Sequence, residues 1–71
     1  MNLQILAQNV RRLRAAKHLS QRALADDAGL SLPAIKSLEL AKSEPRMRTV
    51  QAIAKALGVE LRELFQPVRE L

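Results

Sequence analysis

The sequence has no cysteine, one histidine, two glycines and one aromatic residue, Phe65. Without cysteine there is no disulfide framework, and a lone histidine cannot form a zinc site that needs cysteines or paired histidines. Gly29 and Gly58 stand far apart, so there is no glycine-rich phosphate loop and no cofactor to expect from one. A single phenylalanine offers no stacking platform for unpaired bases, which excludes the usual single-stranded RNA and DNA modules. No apolar run approaches the roughly 18 residues of a membrane span, and the N-terminus lacks a basic region followed by an apolar core. The expectation is a soluble, cytoplasmic chain with no metal, no cofactor and no membrane partner. His18 lacks the nucleophile and orienting carboxylate that catalysis requires, and Asp26 and Asp27 are adjacent, hence on different helix faces. No enzyme is expected.

What is present favours helices and a polyanionic partner. At 71 residues the chain is one small domain, which buries only about 60% of the surface its unfolded form exposes. Aliphatic residues and alanine supply most of the 48% hydrophobic content, and these form helices more readily than strands. Twelve lysines and arginines against seven acids give a net charge of +5. The excess is patterned: residues 1–25 carry Arg11, Arg12, Arg14, Lys17 and Arg22 with no acid, and residues 46–58 carry Arg46, Arg48 and Lys55 with none. Segments 26–45 and 59–71 are mildly negative.

Apolar spacing divides the chain into five short helices around one core. Leu3, Leu6, Val10 and Leu13 share a face and predict a helix over about 3–17. Ser20 caps a second helix, 21–28, with Leu24, Ala25 and Ala28 inward, and Gly29 ends it. Ser31 caps a third, 32–40, with Ile35 and Leu38 inward and Pro33 in the first turn, where its missing N–H costs nothing. After the polar loop AKSEPR, Met47, Val50, Ile53, Ala54 and Leu57 form the stripe of a fourth helix, 47–57, stopped by Gly58. Leu61, Leu64 and Phe65 mark a fifth over 61–66 before Pro67, with 67–71 as a tail.

The centre of the chain, LSQRALADDAGLSLPAIKSLE, reads helix, glycine turn, helix, with segments too short and a turn too tight for antiparallel packing. Here the sequence resembles the Cro/CI-type (XRE-type) helix-turn-helix family of phage repressors and bacterial regulators, from about Val10 to Phe65. The pieces that carry the resemblance are VRRLRAAKHLSQRALADDAGLS, Ile35, the Leu38-Glu39 pair, Pro45 and AIAKALGVELRELF. It implies an all-α, lambda-repressor-like domain whose second helix crosses the DNA backbone while the third lies in the major groove. Carried over by position, Gln21 meets a phosphate, Leu32, Pro33, Lys36 and Ser37 face bases, and Lys42 and Arg46 flank the groove on phosphates. The resemblance also pairs Arg14, at the edge of the first helix's buried stripe, with Glu39.

Several positions depart from the family pattern. Arg46 stands where a capping serine or threonine is common. Arg46 and Arg48 oppose the helix dipole, which makes sense if a phosphate arrives there, though two solvated arginines would also account for them. Leu32 and Pro33 offer bases no hydrogen bond, leaving direct readout to Lys36 and Ser37. Leu40-Ala41 replaces a polar residue and glycine, so the turn that follows is expected to differ in shape. Leu30 matches a buried family position. The functional expectation is a sequence-specific, dimeric repressor acting on double-stranded DNA without a separate effector domain. Val68 and Leu71 serve the homodimer or belong to a frayed end. The rival is an antitoxin-like or adaptor module that binds a protein, such as a toxin, through Leu32 and Leu40.

Overall fold

Asn2, Ser20 and Ser31 each adopt an extended conformation ahead of a helical stretch and accept a backbone hydrogen bond on the side-chain oxygen. The donors are the N–H groups of Ile5 at 3.0 Å, Ala23 at 2.9 Å and Ala34 at 3.2 Å. Each cap satisfies a donor that the first helical turn leaves free. They open α1 (Leu3–Ala16), α2 (Gln21–Ala28) and α3 (Leu32–Glu39). A fourth helix, α4 (Met47–Leu57), starts after Arg46 with no side-chain cap, and a 3₁₀ helix spans Leu61–Phe65. The computed structural model describes residues 1–68, and all regular structure among them is helical.

All four α-helices end on one hydrogen-bond pattern. The residue in the left-handed conformation donates to the carbonyl three back, and the next residue donates to the carbonyl five back. The pairs are His18–Ala15 with Leu19–Arg14, Gly29–Asp26 with Leu30–Ala25, Ala41–Leu38 with Lys42–Ser37, and Gly58–Lys55 with Val59–Ala54. Two of these left-handed residues are glycines, which adopt a positive φ freely, but His18 (φ 58°) and Ala41 (φ 53°) are not. The ends expected at 17 and 40 therefore fall at Ala16 and Glu39, where no glycine advertises the stop. Ala41 also preserves the turn shape that loss of a glycine was expected to alter.

The fifth expected helix is the second correction. Residues 61–65 form a 3₁₀ turn rather than an α-helix over 61–66, with the Glu63 N–H reaching the Glu60 carbonyl at 3.0 Å. Between Glu60 and Pro67 the chain is too short to establish an α-helical hydrogen-bond ladder, and a tighter i→i+3 turn serves instead.

One aliphatic cluster holds these elements together. It joins Leu6 and Val10 of α1, Leu24 and Ala25 of α2, Ile35 and Leu38 of α3, Val50, Ile53, Ala54 and Leu57 of α4, and Leu64. Burying each larger side chain contributes about 1.5–3 kcal/mol. The residues after three of the left-handed turns, Leu19, Leu30 and Val59, pack against this cluster, but the one after α3 is Lys42, which is exposed. The chain therefore leaves the core at Lys42 and stays near the surface until α4. Met47, expected on the α4 core stripe, is 46% exposed, so the buried stripe of α4 begins at Val50. Val68 is half-buried, while Leu71, the other apolar tail residue, lies outside the described residues.

Asn9, a polar residue among the buried positions of α1, ties the C-terminal segment to the rest. It is fully buried, and its Nδ2 donates to the carbonyls of Leu64 at 2.9 Å and Gln66 at 2.8 Å. Its Oδ1 accepts from Arg12 Nη2 at 3.2 Å. The sequence carried a signal for this residue, since Asn9 lies three residues after Leu6 and four before Leu13, in the apolar stripe.

Two stability measurements follow. Ala41→Gly relieves a left-handed alanine and is expected to raise unfolding free energy by roughly 0.5–1 kcal/mol in urea denaturation, net of the added chain entropy. An unchanged or lower midpoint would show that Ala41 is not strained. Asn9→Leu strips the donor from the Leu64 and Gln66 carbonyls, the first of them buried, and is expected to cost about 1–3 kcal/mol. Amide exchange should speed up first around Leu64; protection as in the parent chain would remove Asn9 from this anchoring role.

Candidate nucleic-acid interface

Glu39, the last residue of α3, is only 3% exposed, so its carboxylate must find donors inside the protein. It finds them on two other helices. Arg14 of α1 grips it with both prongs, Nε to Oε2 at 2.7 Å and Nη2 to Oε1 at 3.0 Å. Gln21, the first residue of α2, adds Nε2 to Oε1 at 3.1 Å. Arg14 Nη1 donates to the Leu19 carbonyl at 2.8 Å, and Arg11 Nη1 donates to the backbone carbonyl of Glu39 itself. No buried side-chain nitrogen or oxygen among the described residues lacks a partner. The hydrogen bond to Glu39 raises the Arg14 pKa above its ordinary value; burial opposes this, and the nearby negative charge adds to it. That contribution to stability is complete below the ordinary arginine pKa and is lost only as pH rises through the raised one. Arg14 therefore imposes no pH dependence near neutrality.

This hub fixes the end of α3 against α1 and α2, and the core fixes its inner face through Ile35 and Leu38. What remains outward is its opposite face. Pro33 and Lys36 are exposed, and Leu32 and Ser37 are half-buried. Ser37 Oγ lies 3.2 Å from Ser43 Oγ, which ties the helix to the following loop. Lys42, Arg46 and Arg48 are exposed on that loop and on the start of α4, where the uncapped backbone N–H groups favour an anion. Lys36, Lys42, Arg46 and Arg48 are thus all exposed cations, as Pro33 is an exposed residue of α3.

Two groups of residues have surroundings the sequence reading did not foresee. Gln21, assigned to a phosphate, is half-buried with one N–H committed to Glu39, so in the free chain it positions α3; its second N–H is not needed there. Leu32, offered with Leu40 as an apolar face, is half-buried, while Leu40 follows the end of α3. Leu40 is 63% exposed by itself.

The acid-free N-terminal stretch is also less available than its charge implies. Arg14 is taken by Glu39 and Arg12 donates to Asn9. Lys17 Nζ lies over Gly58, 3.1 Å from where a Cβ would stand, at the C-terminal end of α4 where the helix dipole favours a cation. Arg11 was missed as more than a surface charge; it stands one turn before Arg14 and opens, with Gln21, Lys36, Glu39 and Leu40, onto a cleft between the helices. Among the described residues no cluster of three or more histidines and acids could hold a metal, and no helix is long and apolar enough to cross a membrane.

A family model described as helix-turn-helix (HTH_3) matches residues 10–64. Among solved structures, the chain is similar to the restriction-modification controller protein C.AhdI from Aeromonas hydrophila. That match has 36% identity and a TM-score of 0.86, over 90% of this chain and 97% of that one. It is also similar to the hypothetical transcription factor NHTF from Neisseria, at 31% identity and a TM-score of 0.89, over 92% of this chain and 75% of that one. An HTH_3 family transcriptional regulator from Vibrio cholerae matches at 27% identity and a TM-score of 0.84, over 89% of this chain but 35% of that one. A comparison with curated proteins returned no match.

Because Arg14 is 20% exposed and Glu39 nearly buried, removing the arginine strands a carboxylate without its main partner. Arg14→Ala is expected to cost about 3 kcal/mol in denaturant unfolding. Glu39→Gln in the same background should recover part of that loss by removing the stranded charge. A single variant as stable as the parent would show that the pair does not hold the three helices together.

Proposed function

The chain belongs to the HTH_3 helix-turn-helix family and is a DNA-binding transcription regulator, and we propose that it represses transcription by binding double-stranded DNA sequence-specifically as a homodimer. In this reading α3 lies in the major groove and α2 crosses the backbone above it. The observation that carries it is the fixed pose of α3: its end is locked by the Glu39 hub while Pro33 and Lys36 stay exposed.

Lys36 is the base-reading residue, able to reach guanine O6 or N7, with Ser37 beside it. Leu32 and Pro33 offer only apolar contact, suited to a thymine methyl, so sequence preference rests on few hydrogen bonds and on dimer spacing and DNA shape. Lys42, Arg46 and Arg48 hold phosphates, as does Gln21 through its second N–H. The 36% identity to a restriction-modification controller supports control of transcription by occupancy of DNA. The regulator would work in the cytoplasm, with its DNA. Leu40, 63% exposed, favours a protein partner such as a toxin as the second reading, but a single leucine with Arg11 and Lys36 on the same cleft is a small apolar target.

Selection from random duplex DNA should recover a palindrome whose half-sites lie about one helical turn apart, roughly 34 Å. On that site Lys36→Ala is expected to cost about 1–3 kcal/mol and to relax preference at one base position. Arg46→Ala should weaken binding to all sequences and reduce the slope of log K against log salt by about 0.9 per protomer. No enriched site and no salt-dependent affinity would turn the assignment to the protein-partner reading.

A further inference from the structure

The cleft between α1, α2 and α3 is lined by Arg11, Gln21, Lys36, Glu39 and Leu40. Its charges do not cancel. The one carboxylate, Glu39, is already held by Arg14 and Gln21, so Arg11 and Lys36 face the opening with no free acid among the lining residues. Two cations on one cleft repel one another, and a concave site concentrates their field; both effects favour a single anion between them.

Arg11 is prepared for that role. One N–H of its guanidinium is fixed on the Glu39 carbonyl, which holds an otherwise mobile side chain against the end of α3 and leaves four donors free. Lys36 approaches from the outward face of α3 and Gln21 keeps a second N–H. Leu40, also on the lining, donates no side-chain hydrogen bond. Lys36 belongs to the base-reading helix, so an anion in this cleft lies at the edge of the surface presented to DNA.

We infer that the cleft receives one backbone phosphate of the bound duplex, held by Arg11 of α1 with the free N–H of Gln21, while Lys36 adds its charge at the rim and keeps its hydrogen bonds for the base; this rests on the DNA-binding reading of α3. It extends the interface to the first helix and makes Arg11 a joint element: the same guanidinium orients the end of α3 and clamps the DNA that α3 reads. A phosphate suits this arrangement because its oxygens can accept from the planar fork and from the Gln21 amide at once.

The test is salt-dependent binding to random-sequence duplex DNA, where phosphate contacts dominate and no operator needs to be known. Arg11→Ala is expected to lower affinity roughly tenfold. It should also reduce the log K against log salt slope by about 0.9 per protomer. Arg11→Lys keeps the charge and should keep the slope. Lys55→Ala, on a separate cleft beside Asp26 and Asp27, should leave both quantities unchanged. Thermal unfolding of each variant separates folding from binding. If Arg11→Ala lowers the melting temperature or the affinity while the slope stays at the parent value, the arginine only braces α3 and the inference is overturned. If Arg46→Ala changes the slope and Arg11→Ala does not, the DNA-binding reading stands and the phosphate in this cleft does not. A parent protein that binds no duplex at any salt concentration overturns both.

Discussion

The buried Glu39 carboxylate is the constraint around which the rest is arranged. It ends α3 inside the protein and draws donors from α1 and α2, so three helices are oriented by one side chain. The apolar core alone would press these helices together but leave their rotations loosely specified, because hydrophobic contact has no direction. A two-pronged arginine–carboxylate pair does have direction. Its net stabilisation over a well-packed apolar substitute is small, and its removal is costly mainly through the charge left behind. What it contributes is a defined pose for α3, the helix proposed to meet DNA.

The same hub sorts the cations. A net charge of +5 says little about which of twelve basic side chains reach a polyanion. Arg14 is absorbed by Glu39, Arg12 donates to Asn9, and Lys17 sits against the C-terminal end of α4. Lys36, Lys42, Arg46 and Arg48 remain exposed around α3 and the loop after it. That loop is itself a consequence of helix-end chemistry. After the other three α-helices an apolar residue follows the left-handed turn and pulls the chain onto the core; after α3 the residue is Lys42, and the chain runs outward.

Helix starts were legible because capping is local: Ser20 and Ser31 act three residues ahead through their own side chains. Gly29 and Gly58 made two ends equally plain. The ends at Ala16 and Glu39 were misplaced by one residue because His18 and Ala41 occupy left-handed positions that composition does not flag. Such residues persist where the surrounding packing outweighs their strain. The 3₁₀ turn at Leu61–Phe65 escaped for another reason. Its apolar spacing fits a helix of either pitch, and the shortness of the segment, with its anchoring to α1 through Asn9, selects the tighter one.

The sequence by itself determined the all-helical class, the helix-turn-helix order and the capped starts. These follow from periodicity and from interactions within a few residues, which are present in the chain before it folds. Only the tertiary structure decided that Gln21 braces α3, that Asn9 holds the C-terminal segment, and that Arg11 shares a cleft with Lys36. Each of these depends on helices whose residues are distant in sequence. A polar side chain takes its role from the partner that burial leaves it, and that partner is known only once the core has closed.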